Sequence, residues 1–517
     1  MRTAVDALAE ASERVDRLQA ALQAEATGPV RLVETHLSWV LLTDELAYKI
    51  KKPVRLPFVD LTAISTRARL VREELRINRR WAPWLYLDVV EVVDGLQGPC
   101  IGGPGTVVDV ALRMRRFPDG ALWSERVGRG ALTAEDVAAF ADMMADHHRA
   151  AAIAPCEATY GTPVARQRLV RQLVESLDSA VAKSGVRELR AWLPNECLRL
   201  AEYFEGRRLA GRVRECHGDL HLANIVHVGG RGQPFDAIEF EDSLRWIDVG
   251  EDIAFPVMDL MGNGHARLGW HLLNAWLERS GDYDVLPALR FHLICRALVR
   301  ALVMAVCERT GTVAEGPTSG DSRALAVALL ERRALSLGIT HGLPGSGKTQ
   351  AARVLSEVAG AVLVRSDVER KRLFVVAPLA SLQAHSDAYS TAATGRTYAR
   401  LAEVARMALG SGWPVFVDAA FLRRSEREAF ASLAADAGVS FGIVDCRAPM
   451  DVLRQRVERR QTEARDASEA NLVVLERLAE FEGPLDVAEQ AHALAVQPDS
   501  HECTLIKDWK RLVRPLE

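Results

Sequence analysis

Lysine is scarce in this chain. Among 517 residues with 65 lysines and arginines, only eight are lysines: Lys49, Lys51, Lys52, Lys183, Lys348, Lys371, Lys507 and Lys510. Such a bias is the usual mark of a GC-rich genome, in which generic positive charge falls to arginine. An excess of one charge is also missing. The 65 basic residues meet 69 acidic ones, for a net charge of −4. That excludes the global basic field of a non-specific nucleic-acid binder, and no basic stripe with interleaved aromatics is present. The eight cysteines are scattered and form no CxxC pair. Zinc ribbons and thioredoxin-like sites are therefore excluded, and most cysteines read as small core hydrophobes. No run of about 18 uncharged apolar residues occurs, so no membrane span is expected. The start, MRTAVDALAEASERVDRLQAALQAEA, carries acids early and lacks an apolar stretch; it reads as an amphipathic helix rather than a signal peptide. The expected setting is reduced and cytoplasmic. What the chain does have is 49% hydrophobic and 26% charged residues, the composition of a globular protein with a full core.

The length suggests two or three domains. Residues 30–43 and 46–54 alternate as strands, 62–83 as a helix, and 87–93 and 106–117 as strands again. Thr133 followed by Asp136 is a capping box opening a helix to about Ala150, and helices continue through 163–206. Residues 228–234, VGGRGQP, form a hairpin-like turn, and 251–336 reads as helices. The segment 311–321, rich in Gly, Thr and Ser, marks a linker. From Leu337 the pattern becomes short apolar strand, turn and helix, repeated, which argues for a parallel sheet covered on both faces. The expected domains are 1–320, a bridging linker helix 321–336, and 337–517.

Gly342-Leu-Pro-Gly-Ser-Gly-Lys348-Thr349 fits G-x-x-x-x-G-K-[ST], between the strand LGITH and the helix TQAARVLSEVA. Gly342, Gly345, Ser346 and Gly347 let backbone amides turn toward phosphate oxygens. Lys348 can supply a point charge to the phosphates, and the Thr349 hydroxyl can ligate magnesium. Asp367 follows the next strand. It can accept a proton from an attacking hydroxyl or simply cap a helix. Arg370, one turn later, can hold an anionic group. Asp418 ends the strand PVFVD and can orient magnesium-bound water. Arg454, Arg456, Arg459, Arg460 and Arg465 form either a lid over the phosphates, with Arg459 at the nucleotide, or a solvated face. On GLPGSGKT, SDVER, VFVDAAF and these arginines, residues 337–480 resemble the P-loop kinase branch of the AAA-like NTPases, near the polynucleotide-kinase and zeta-toxin group. The resemblance implies Asp367 as base for a hydroxyl acceptor, with Arg370 beside it and Lys348 at the transferring group.

His217-Gly-Asp219-Leu-His-Leu-Ala-Asn224 fits H-[RG]-D-L-x-x-x-N. A short loop with this spacing aims Asp219 at the acceptor hydroxyl, while Asn224 ligates magnesium and His217 holds the loop at the nucleotide site. The HGD form resembles the aminoglycoside phosphotransferase and choline-kinase branch of the protein-kinase-like enzymes, across residues 30–300. That resemblance implies a second metal-binding acid shortly downstream. The matching text is Asp236-Ala-Ile-Glu239, with a Glu at the expected Asp position. It further implies an ATP-pairing lysine, Lys49 or else Lys51, which share one strand face, and a helical partner, Glu74 or else Glu73. Asp248 and Asp252 read as scaffold acids. The place of a glycine-rich loop, Glu34-Thr-His-Leu-Ser38, holds no glycine: either Ser38 and backbone amides substitute, or nucleotide binding there is weak.

The expected architecture is therefore a two-lobed α+β kinase-like domain followed by a three-layer α/β P-loop domain with a parallel sheet. The expected cofactors are ATP and Mg²⁺ at two sites. The partner is a small hydroxyl-bearing acceptor, with neither membrane nor nucleic acid expected and the oligomeric state open. The alternative keeps catalysis in the P-loop domain alone and makes the first domain a regulatory or substrate-binding pseudokinase.

Overall fold

A computed structural model describes residues 4–56, 59–180, 186–310, 316–331, 333–374, 390–463, 471–497 and 500–513. By its contacts the chain divides into two compact units. The first comprises Met1–Phe140, Ala150–Asp259 and Leu298–Ser322; the second comprises Ala141–Arg149, Leu260–Ala297 and Arg323–Glu517.

The first unit opens with a six-stranded sheet built from β1 (Arg31–Glu34), β2 (Ser38–Leu42), β3 (Leu46–Lys51), β6 (Tyr86–Gly95), β7 (Gly98–Ile101) and β8 (Thr106–Arg115). A ribbon of two short strands, β4 (Arg55–Leu56) and β5 (Val59–Asp60), lies outside it. The order is β1-β2-β3-β8-β6-β7, antiparallel throughout. Strand periodicity sends alternate β3 residues to opposite faces. Tyr48 and Ile50 pack with Ala11, Val15 and Leu18 of the helix Ala4–Glu25. Ala47 faces the other way, into a cluster containing Val71 of the helix Ile64–Trp81, and Lys49 and Lys51 share that face. Both faces are covered, so the two lysines sit between sheet and helix rather than in solvent.

Helices follow at Ala134–Ala150, Pro163–Ala180, Val186–Arg199 and Ala201–Leu209. The expected capping box is formed: the Asp136 amide donates to Thr133 Oγ1 at 3.1 Å and the Thr133 amide to Asp136 Oδ2 at 3.0 Å. Strand β9 (Val213–Glu215) pairs with β12 (Trp246–Asp248), and between them β10 (Ile225–Val228) and β11 (Arg231–Pro234) form the expected hairpin. Its turn residues Gly229 and Gly230 have φ of 61° and 76°, the left-handed pair that two-residue hairpins favour.

The second unit carries a five-stranded parallel sheet: β13 (Ser336–His341), β14 (Val362–Arg365), β15 (Val415–Asp418), β16 (Ser440–Cys446) and β17 (Ala493–Val496), in the order β14-β15-β13-β16-β17. All six residues of β13 are buried, as expected for a central parallel strand. A β-carbon at Gly338 would lie 2.5 Å from Phe416, and one at Gly442 would lie 2.7 Å from Trp509, so these glycines admit aromatic side chains against the sheet. The fold class matches expectation in both halves. Differences are local. β7, β17 and the helices Thr391–Gly410, Leu472–Ala479 and Glu502–Leu512 add to the expected elements. The helix expected over 321–336 runs Ser319–Ala328, and residues 311–315 of the linker lie outside the described residues.

Candidate active sites

The phosphate loop links β13 to the helix Lys348–Ala359. Gly342, Gly345 and Gly347 have φ of 132°, 85° and 97°. At Gly342 a β-carbon would meet the Cys446 carbonyl oxygen at 2.3 Å, so only glycine fits. Lys348 Nζ donates to the Leu343 carbonyl at 2.8 Å, folding back over its own loop. Ser346 is buried, and its hydroxyl has no hydrogen-bond partner among the described residues. An unsatisfied buried hydroxyl beside inward-turned glycines is the cradle a phosphate group would complete. Thr349 Oγ1 donates to Asp418 Oδ2 at 2.7 Å. Asp418 is buried at the end of β15 and also lies 3.6 Å from the Arg365 guanidinium. A hydroxyl and a carboxylate in contact beside a phosphate loop are a hard-oxygen pair suited to Mg²⁺.

Register places the other expected residues on the same sheet edge. Arg365 of β14 pairs with Asp418 of β15, so Asp367, two residues past Arg365, emerges at the carboxyl end of the sheet. The N-cap of the helix Ser366–Leu373 is Arg365, and no hydrogen bond or ion pair reaches the Asp367 carboxylate among the described residues. The capping role is thus not what holds it. Arg370 Nη1 donates to Thr394 Oγ1 at 3.4 Å. Of the arginine cluster, Arg456 meets the phosphate loop, donating to the Gly345 carbonyl at 3.2 Å. Arg454 pairs with Glu476 at the surface, Arg459 is exposed, the Arg460 side chain lies outside the described ones, and Arg465 lies outside the described residues altogether. Next to the loop, buried His341 meets Asp445 at 2.8 Å, and Asp445 meets Arg447 at 2.6 Å. Burial pushes the adjacent Cys446 thiol up to about 12, so it is an inert core group.

In the first unit, Lys49 Nζ lies 2.8 Å from Glu74 Oε1 and 2.5 Å from Asp236 Oδ1. Lys51 Nζ lies 2.7 Å from Glu74 Oε2 and 2.5 Å from Glu239 Oε1. Both lysines therefore share Glu74, and each has a second acid of its own. Glu73 points elsewhere, to Arg76 and Arg245. Burial alone would raise the Glu74 carboxyl, but the two ammonium groups hold it down to about 2. Burial likewise works against the charge on Lys49, and Asp236 and Glu74 override it and raise its pKa well above the usual lysine range. Burial raises the Glu239 carboxyl, with Lys51 opposing. Asp236 is a further site residue that the motif text does not single out. It stands in the left-handed region at φ 63°, with its amide bonded to Tyr86 Oη at 2.9 Å and the next amide to Asn78 Oδ1 at 2.8 Å. Its side chain is 37% exposed while that of Glu239 is 7% exposed, so Asp236 is the more accessible of the two acids.

The catalytic-type loop closes around Asp219. Asn224 Nδ2 donates to the Asp219 carbonyl at 2.9 Å and to its carboxylate at 3.2 Å. His217 is fully buried, with Nε2 2.9 Å from the Phe235 carbonyl, so it ties the loop to the segment that carries Asp236. Asp252 accepts from the amides of His217 and Gly218 at 3.2 and 2.9 Å, and Asp248 forms a two-point pair with Arg207 at 2.7 and 2.8 Å. Both act as scaffold. Burial would raise the Asp219 carboxyl; neighbouring His221, followed by Arg300 and His217, holds it well below the usual range. Arg300 lies about 80 residues away in sequence, and nothing in the loop motif announces it. In the glycine-free hairpin, His36 Nε2 lies 3.1 Å from the Cys307 thiol and Ser38 is buried.

These two sites belong to a two-domain kinase-like and P-loop architecture. A family profile described as an AAA domain matches residues 337–484. The uncharacterized protein Rv2004c of Mycobacterium tuberculosis is 30% identical over 441 residues, covering 84% of this chain and 87% of the relative; the uncharacterized protein Mb2027c of Mycobacterium bovis matches to the same extent. The chain belongs to the family of these mycobacterial proteins. Among solved structures, a choline/ethanolamine kinase family protein from Mesorhizobium loti covers 62% of this chain and 95% of its own, at 15% identity and a TM-score of 0.38. A sugar kinase from Janibacter covers 35% of this chain and 96% of its own, at 16% identity and a TM-score of 0.28. The P-loop domain implies nucleotide binding. Among the described residues, no helix is long and apolar enough to cross a membrane.

Proposed function

We propose that this protein is an ATP-dependent phosphotransferase with a nucleotide and magnesium site in each of its two domains. The observation that carries the reading is the Thr349–Asp418 contact of 2.7 Å beside a phosphate loop whose Ser346 hydroxyl is buried without a partner. Thr349 and Asp418 would hold Mg²⁺, which neutralises phosphate charge when bound. Loop amides and Lys348 bind the phosphates, and Arg456 steadies the loop at Gly345. Asp367 takes the proton of the attacking hydroxyl, and Arg370 orients an anionic part of the acceptor. Catalysis on this plan is positioning plus charge neutralisation.

In the first domain Lys49, held by Glu74, orients the nucleotide phosphates. Asp219 positions the acceptor hydroxyl, and Asn224 with Asp236 or Glu239 would hold the metal. Acceptors are small hydroxyl-bearing molecules at both sites. A second reading, in which the first domain is regulatory, is favoured by one contact: Glu239 is buried against Lys51 at 2.5 Å, which withdraws it from a metal. The test uses the full chain. Lys348→Ala should abolish the nucleotide turnover of the P-loop domain, and Asp219→Ala should remove what remains. Full turnover in Lys348→Ala that vanishes in Asp219→Ala would exclude the P-loop site as an enzyme. Unchanged turnover in Asp219→Ala would favour the regulatory reading.

A further inference from the structure

A cavity of about 800 Å³ lies in the first unit, between the helix Ile64–Trp81 and the segment 239–245. It reaches Glu239 but not Asp219 or Asn224, so it is separate from the acceptor side of the kinase-like site. The helix presents Arg69, Arg72 and Arg76 to it. Spacings of three and four residues put these three on one helix face. Their charges are not equally spent. Arg76 is shared between Glu73 and Glu215, and Arg245 on the opposite wall is buried against Glu73, Glu215 and Asp242. Glu239 is taken by Lys51. Arg69 and Arg72 have no acid or hydrogen-bond partner among the described residues. Two uncompensated guanidinium groups therefore face one cavity.

We infer that this cavity is a binding site for a small organic phosphate. A phosphate monoester carries about −1.5 to −2 charge at pH 7, which matches two unpaired arginines. The planar guanidinium fork is suited to phosphate oxygens. The volume is that of a pocket for a whole small molecule, about 300–1,000 Å³, and far exceeds one anion. Tyr160, stacked on Trp246 at 5.7 Å, and Phe240 provide an apolar wall for an organic body. Glu241 and Asp242 at the rim can accept hydrogen bonds from its hydroxyl or amino groups. The class is a phosphate ester with an aromatic or apolar body. The two walls carry Glu74 and Glu239, the acids that hold Lys51, so an occupant would bridge the elements that shape the lysine pair.

Binding at this cavity does not require either domain to turn over nucleotide. Its test is calorimetric titration of the full chain, held in saturating Mg·ADP to fill nucleotide sites, with phenyl phosphate and, separately, inorganic phosphate. Phenyl phosphate should bind one to one. Arg69→Ala/Arg72→Ala should weaken it about tenfold or more without changing the thermal melt, since both side chains are exposed and unpaired. Tyr160→Ala should weaken phenyl phosphate several-fold and leave inorganic phosphate unchanged. Absence of one-to-one binding, or unchanged affinity in the double arginine variant, would overturn the site. Inorganic phosphate binding as tightly as phenyl phosphate would overturn the organic-ester class.

Discussion

At Gly342 and Gly347 the same loop makes two different demands on a residue without a side chain. Both have positive φ, but a β-carbon at Gly342 would strike the Cys446 carbonyl at 2.3 Å, whereas at Gly347 it would find open space. Gly347→Ala should therefore cost only backbone strain, about 1 kcal/mol, while Gly342→Ala adds a collision with fixed backbone and should cost about 3 kcal/mol. Urea unfolding of the two variants checks the order; equal losses would show that strain alone matters. Glu74 makes a second demand, this time on pH. Its folded-state pKa of about 2 lies below the ordinary 4.5, so its stabilisation is complete above pH 4.5 and is lost as pH falls through 2. Acid unfolding of the wild type should thus steepen between those values. In Glu74→Gln the slope there should flatten, with a lower plateau at neutral pH because Lys49 and Lys51 lose a shared partner. An unchanged acid limb would remove Glu74 from the account.

Elements are joined by partners that local patterns do not show. Arg67, on the helix Ile64–Trp81, forms a two-point pair with Asp109 of β8 at 2.8–3.2 Å and donates as well to the carbonyls of Leu61 and Thr62. Both charges are buried. Removing one should cost about 3–5 kcal/mol, since the other is left uncompensated, while an apolar pair restores most of the loss. Equilibrium denaturation of Arg67→Met against Arg67→Met/Asp109→Leu measures this; a double variant no better than the single would refute it. This pair also shows where reading the sequence stops. GLPGSGKT and HGDLHLAN are legible because their chemistry is confined to eight neighbouring residues, and the Thr133–Asp136 cap is legible because its partners are three apart. Arg67–Asp109, Lys49–Asp236 and Arg456–Gly345 are separated by 42, 187 and 111 positions. Such partners become visible only when the fold brings them together. Glu239 lay in the right text, yet the choice between it and Asp236 depends on a left-handed backbone at 236 and on which acid Lys51 takes. The four-residue strand ALAV of β17 is too short to announce itself.

For the whole molecule, the P-loop sheet has an edge to protect. β14 is its outermost strand on one side, and exposed edges invite pairing with other chains. Here the helix Ala266–Ser280, far upstream in sequence and within the same compact unit, covers it. Asn274 Nδ2 donates to the Ala361 carbonyl at 3.0 Å and its Oδ1 accepts from the Leu363 amide at 2.9 Å, so one side-chain amide substitutes for a neighbouring strand. His271 meets Glu357 of the loop-following helix at 2.7 Å, Trp270 packs edge-on against Trp413, and the Trp413 indole donates to the Leu286 carbonyl at 3.2 Å. A fragment of residues 337–517 keeps the phosphate loop but strips this cover, leaving two edge groups unpaired and buried tryptophan surface exposed. It should aggregate, or melt many degrees below a fragment of residues 260–517, in which the helices remain. Light scattering and thermal melts of the two fragments compare them directly. Within the longer fragment, Asn274→Ala should cost about 2–4 kcal/mol through two unsatisfied backbone groups, and Asn274→Asp should recover only the bond from the Leu363 amide. A monodisperse 337–517 fragment with the same melt would show that the P-loop sheet is stable without the upstream helices.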